Sequence, residues 1–355
     1  MDFMDRDFRA RLGPWIAVVA WLFAILLVLM LLVGASLEAG LWGFFNGAFG
    51  GRNSAYLMTT IGRSALIIGM ALAVLVSFRA GLYNIGGEGQ LVVGGIVAAL
   101  VGIYMPGPGP VVLVCGILAG MAGGALWAML SGALQVYMGV PLLIGSLLLN
   151  YPARYVTSYL LGHPFRDRAA GLPQTHMVPT EAWLPNFPGT RLDVGILLVL
   201  LVAVITIVYA HKTVPGYRAR MNGLAPDFAR ASGLPVKKLV FQTLAMSGAI
   251  AGLVGAIAVF GVHYRFADGM LVQPLYAWTG IIAVLMVGMV PWAVPLSGFF
   301  FAALQTGSAG MERTAGIPKE IGLIMQAAII LFVASRLAVV NLAGSARGGS
   351  SDDRA

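Results

Sequence analysis

Between residues 81 and 91 the chain reads Gly81-Leu82-Tyr83-Asn84-Ile85-Gly86-Gly87-Glu88-Gly89-Gln90-Leu91. Four glycines, an Asn, a Glu and a Gln stand there between two apolar runs long enough to lie in a bilayer. Hydrocarbon supplies no water for a freed backbone, so helix-breaking glycines beside a carboxylate are tolerated only where protein or a wet cavity surrounds them. The stretch predicts a broken membrane helix, the device on which a transport pathway is built. The competing reading is a Gly-rich turn at the cytoplasmic surface. In the broken-helix reading Glu88 is expected to accept hydrogen bonds from the amides that the break sets free.

Composition agrees with a membrane setting. Of the 355 residues 59% are hydrophobic and 10% charged, with a mean hydropathy of +0.88. A soluble domain carries about 25% charged residues, so an all-α polytopic membrane protein is expected. The net charge of +8 is spread between apolar runs, which fits cytoplasmic loop bias rather than nucleic-acid binding. Cys115 stands alone inside an apolar run and the four histidines show no ligand spacing. Disulfides, metal and cofactor are therefore not expected.

Apolar runs place spans near 15–33, 57–78, 91–105, 110–131, 138–161, 194–210, 239–262, 279–292, 294–310 and 318–336. The first, at 19 residues, exceeds a secretory h-region of roughly 7–15 residues and is read as a retained anchor. Against the roughly 20 residues that cross hydrocarbon, 91–105 and 279–292 are short. Each is third in its half, which suggests two inverted five-helix repeats with broken helices. Lys and Arg collect in the N-terminal segment 1–14, in the loop 211–238 and in the tail 337–355. The positive-inside rule makes that side cytoplasmic, giving a multi-pass membrane protein with both termini inside. The transmembrane domain is then 15–336, with an outward, proline-rich cap at 162–193. The Gly/Ser-rich tail is expected to be disordered.

Small residues recur every four positions at Gly116, Gly120, Gly124, Ala128 and Gly132, and again at Gly248 and Gly252. That spacing lets helix backbones approach closely in lipid. In the loop 211–238, Pro215-Gly216 is read as the end of the sixth span. Pro226 suits the first position of a helix, Asp227 its first turn and Gly233 its end. The resulting helix of under two turns is too short to hold itself in water, so docking to a partner is expected there.

The stretch 81–90 resembles the G-L-F/Y-N-I-G-x-E-G-Q signature of ATP-binding-cassette importer permeases, in the branch covering branched-chain amino acids, ribose and nucleosides. The nucleoside and simple-sugar members are the most similar. The segment Arg218 to Leu234 resembles that family's coupling segment, Gly307 to Glu320 its late G-x-x-x-M-x-R-x-x-G-V-P-x-E segment, and Leu147-Leu148-Leu149-Asn150-Tyr151 its M-L-N-Y run. Two departures stand out. Gly139-Val140-Pro141-Leu142-Leu143 replaces the usual G-V-N-E-V, and Ala225 replaces the usual Asn before Pro226.

The resemblance implies a permease subunit without chemistry of its own, forming the path for a nucleoside or simple sugar. It implies a separate ATPase chain, a second permease subunit and an extracytoplasmic substrate-binding protein. Tyr83, Asn84, Glu88, Gln90 and Asn150 are the expected pathway residues, with Trp278 nearby. Arg218, Asn222, Pro226, Asp227, Phe228, Arg230 and Gly233 are the expected coupling residues. The residues agree as far as they go: no Gly-Lys dipeptide occurs, so a Walker A loop is excluded, and no triad or carboxylate pair offers a catalytic centre. Amides and carboxylates suit sugar hydroxyls and aromatic faces suit a base. The alternative is an ion-coupled secondary carrier, for which Glu88 would be the titratable group.

Overall fold

The computed structural model describes residues 36–51, 54–328 and 331. The expected N-terminal segment, the span 15–33, the end of the span 318–336 and the tail 337–355 lie outside the described residues. Among the described residues the regular structure is helical, with two isolated β-bridges and no strand. The helices are α1 (Leu37–Phe49), α2 (Ala55–Arg79), α3 (Gly87–Tyr104), α4 (Gly109–Met138), α5 (Leu142–Gly162), α6 (Gly195–Lys212), α7 (Val214–Leu224), α8 (Pro226–Ala231), α9 (Val236–Ile257), α10 (Tyr276–Met286) and α11 (Val294–Ala315). A π-helical turn, Ala258–His263, extends α9. Among the described residues α2, α3, α4, α6 and the extended α9 are long and apolar enough to cross a membrane.

The chain divides into two compact units, one from Met58 to Ala302 and the other made of the residues before and after it. In the larger unit α3, α4 and α9 pack with almost no side chain between them. The four-residue stripe is the cause. A Cβ at Gly120 would stand 3.0 Å from the Gly94 carbonyl oxygen, and one at Gly124 would stand 2.9 Å from Gly252 Cα. A Cβ at Gly255 would meet Gly95 N at 2.7 Å. On α4 the residues between these glycines, among them Val114, Leu118 and Leu126, are exposed, as suits a helix with one face toward lipid. Van der Waals contact over this glycine seam is what holds apolar helices together where lipid removes the hydrophobic drive.

The smaller unit uses the same device. Gly43 and Gly47 of α1 lie on the backbone of Gly310 and Met311; a Cβ at Gly43 would stand 3.0 Å from Met311 Cα. Arg313 lies over the Tyr56 ring at 4.3 Å. No span was placed at 34–56, where α1 lies. At 13 residues it is too short to register as a span, and its start is set locally by Ser36 Oγ accepting from Ala39 N.

Other boundaries also differ from expectation. Pro215 does not end the sixth span; it lies in the first turn of α7, where Thr213 Oγ1 accepts from Gly216 N at 3.1 Å. A proline is harmless there because its missing N–H would have had no partner in the helix. The span expected at 110–131 runs on to Met138 and ends at Gly139 in the left-handed region. The span expected at 279–292 is an 11-residue helix closed by Gly288 and Met289, both at positive φ. Segment 163–194 is ordered: Thr175 N donates to Phe266 O, Val178 N to Tyr264 O and Leu184 N to Phe260 O. Trp183 stacks on Tyr264 with ring centres 3.8 Å apart. Burial raises the pKa of the Asp193 carboxyl in this segment against the opposing Gly195 N–H bond.

The seam gives a direct test. Gly124→Leu should lower the melting temperature and the monodisperse yield of purified protein, since overpacking costs about 1–3 kcal/mol or more. Gly162→Ala, whose Cβ meets nothing within 4 Å, should leave both unchanged.

Candidate functional site

Helix α2 ends at Arg79 and α3 begins at Gly87, so the break is confined to residues 80–86. Gly87, Glu88, Gly89 and Gln90 are helical. The turn out of α2 is made by Gly81 at φ +73°, with Leu82 N returning to Ser77 O at 3.0 Å. Arg79 adds a donor to the Met289 carbonyl at 3.1 Å.

The first amides of the break return to backbone carbonyls, and the later ones go to buried neutral side chains. Ile85 N donates to Ser146 Oγ at 3.0 Å, and Gly86 N to Asn84 Oδ1 at 3.0 Å. Gly89 N donates to Asn150 Oδ1 at 2.8 Å, while Asn150 Nδ2 donates to Ile85 O at 3.2 Å. Asn84 and Gln90 exchange amide hydrogen bonds at 3.1 and 3.3 Å, and Asn84 Nδ2 also reaches Ser247 Oγ at 3.2 Å. Asn84, Gln90, Asn150, Ser146 and Ser247 are all buried. The glycines are required by the same crowding. A Cβ at Gly86 would stand 3.0 Å from Ser146 O, and one at Gly89 would stand 2.9 Å from Trp127 Nε1.

Glu88 has a different place from the one expected. It does not take up the freed amides. Trp278 Nε1 donates to its Oε2 at 3.2 Å, and Arg154 Nη1 lies 3.7 Å from its Oε1. Its position in the first turn of α3 also faces the positive end of the helix dipole. Trp278 is 39% exposed and Tyr83, edge-on to Phe78, is 49% exposed. The structure thus gathers Asn84, Glu88, Gln90 and Asn150 around one break and leaves Tyr83 at its open side. Sequence reasoning missed Ser146, Arg154 and Ser247. Ser146 and Arg154 flank Asn150 at four-residue intervals, which puts all three along one strip of α5.

Seven residues of the loop 211–238 were expected to act together, and they separate into two groups. Pro226, Asp227, Phe228, Arg230 and Arg218 are exposed, with Phe228 at 61%. Arg230 pairs with Asp227 at 3.3 Å; both are exposed, so the pair adds little stability. Gly233, at φ +74°, closes α8. Asn222 is buried instead, and its Nδ2 donates to Ala80 O at 2.8 Å. Beside it Gly223 touches the turn backbone: a Cβ at Gly81 would stand 2.9 Å from Gly223 Cα.

Residues 56–334 match the family described as branched-chain amino acid transport system / permease component. The chain belongs to this permease family. It is 32% identical over 332 residues to the guanosine ABC transporter permease protein of Bacillus subtilis, covering 92% of this chain and 94% of that one. It is 27% identical over 351 residues to a nucleoside ABC transporter permease protein of Lactococcus lactis, covering 95% and 94%. A glucose ABC transporter permease protein of Haloferax volcanii is 30% identical over 282 residues, covering 76% and 74%. No solved structure matches the chain. In this permease the amides of the break are structural ligands of the backbone, whereas Trp278 and Tyr83 hold the accessible side and Glu88 is buried behind Trp278 and Arg154.

That division is measurable. Asn150→Ala leaves Gly89 N–H and Ile85 C=O unpaired, at about 1–3 kcal/mol each, and should lower the melting temperature of the purified permease clearly. Glu88→Ala should leave stability nearly unchanged while reducing transport. Equal melting losses in the two variants would contradict it.

Proposed function

We propose that this permease forms the membrane path of an ATP-binding-cassette importer carrying a nucleoside or a simple sugar. The observation that carries the reading is the broken helix, whose backbone is satisfied by buried amides while an indole and a phenol beside the buried Glu88 remain reachable. The named relatives point the same way: two are nucleoside permeases and one is a glucose permease. Family membership disfavours the ion-coupled carrier, and Glu88 is already engaged by Arg154 and Trp278. Deleting the chain from its host should abolish ATP-dependent uptake of radiolabelled guanosine. Unchanged uptake of both guanosine and glucose would overturn the reading.

The finer plan is part of the same proposal. Ten spans form two inverted five-helix repeats in a bacterial inner membrane, with the ordered segment 163–194 outside and both termini inside. ATP is hydrolysed by a separate ATPase chain, a second permease subunit completes the path, and an extracytoplasmic binding protein delivers the substrate. Helix α8 is the docking element for the ATPase. It has six residues, too few to be stable alone, yet it presents Phe228 outward between Asp227 and Arg230. An exposed aromatic on a short polar helix is an anchor in search of a pocket.

Phe228→Asp should therefore abolish co-purification of the ATPase, because an unpaired charge in a desolvated contact costs several kcal/mol. Expression and melting of the permease itself should not change, since the side chain is exposed. Undiminished binding of the tagged ATPase would overturn the docking role.

A further inference from the structure

A second polar cavity lies one helical turn from Asn150. Its volume is about 250 Å3, and its walls come from Arg154 and Thr157 of α5 and from Phe266, Asp268 and Gln273 of the segment before α10. Ser158 Oγ donates to Asp268 Oδ2 at 3.1 Å, and no other partner of the Asp268 side chain is found among the described residues. The far wall is not a loose loop. Thr175 N donates to Phe266 O at 2.8 Å, Phe266 N to Thr175 Oγ1 at 3.0 Å and Asp268 N to Pro173 O at 3.0 Å. Asp268 is thereby held at a set place by backbone bonds to the segment 173–178.

We propose that this cup is a subsite for the sugar ring of the transported solute, read through its hydroxyl groups. The proposal rests on the nucleoside or sugar reading above. Each sugar hydroxyl both donates and accepts. Asp268 offers only acceptors, Arg154 only donors and Gln273 both, while Thr157, whose hydroxyl proton goes to Ala153 O at 2.6 Å, can only accept, so neighbouring hydroxyls can be satisfied together. Phe266 adds an apolar floor of the kind that suits the C–H face of a ring. The volume lies below the roughly 300–1,000 Å3 of sites that enclose whole drug-sized ligands, which fits one ring rather than a complete nucleoside. Arg154 belongs to both places, since the same guanidinium approaches Glu88 at 3.7 Å.

The test is uptake of guanosine against 2′-deoxyguanosine, and of glucose against 2-deoxyglucose, in cells carrying the complete transporter. The wild type should prefer the hydroxylated member of the transported pair. Asp268→Asn keeps the shape and can still accept from Ser158, yet it should cut that preference about tenfold, as expected for loss of a hydrogen bond to a charged group. Gln273→Ala should cut it in the same direction. A uniform fall in both members with the ratio intact would mean a merely structural role and would overturn the cup, as would an unchanged ratio at normal rates. A wild type that moves neither guanosine nor glucose would instead strike down the substrate reading itself.

Discussion

Residues 80–86 leave the helical path between two apolar helices, and the amides released there have no water to turn to. The rest of the larger unit is arranged around meeting that demand. Ser146 and Asn150 come from α5, Ser247 from α9 and Gln90 from the next turn of α3 itself. These donors and acceptors can reach the break only because the neighbouring helices approach closely. Gly86 and Gly89 admit α5, and the glycine seam of α3, α4 and α9 brings in α9. A broken helix and a tight bundle are thus two parts of one requirement.

Neutral amides suit this work better than a carboxylate does. Asn150 uses its oxygen for Gly89 N–H and its nitrogen for Ile85 C=O, so one side chain closes both halves of the gap. A carboxylate can only accept, and it carries a charge that is costly to bury unpaired. Glu88 is buried too, but its charge is met by an indole N–H and a guanidinium. The freed backbone and the carboxylate are therefore served by different partners at neighbouring positions of a single motif.

The loop between α6 and α9 is joined to the same turn. Asn222 bonds Ala80 O, and Gly223 lies on Gly81 backbone to backbone. α7 thus meets the break both through a buried side-chain bond and through direct backbone contact. Nearby α8 keeps Phe228 and its charged neighbours at the surface. One face of the loop grips the permease and the other is exposed.

The membrane class, the break at 81–91, the four-residue glycine seam and the short helix from Pro226 could all be read from the sequence. Each is a local property: composition, helix-breaking residues, a spacing of four, or cap chemistry. Asn84, Gln90 and Asn150 were also legible, because amides inside apolar runs must have a reason to be there. The partners could not be read. Which side chain takes Gly89 N–H depends on how α5 lies against α3, and a carboxylate looked as suitable as an amide until the bundle placed Glu88 beside Trp278 and Arg154. Helix α1 and the start of α7 at Val214 escaped for a related reason. Both are too short or too polar to register as spans, and α1 also packs its glycines on backbone more than 250 residues away in the chain. Periodicity along a chain reports which face of a helix is buried; what it is buried against is decided by tertiary packing alone.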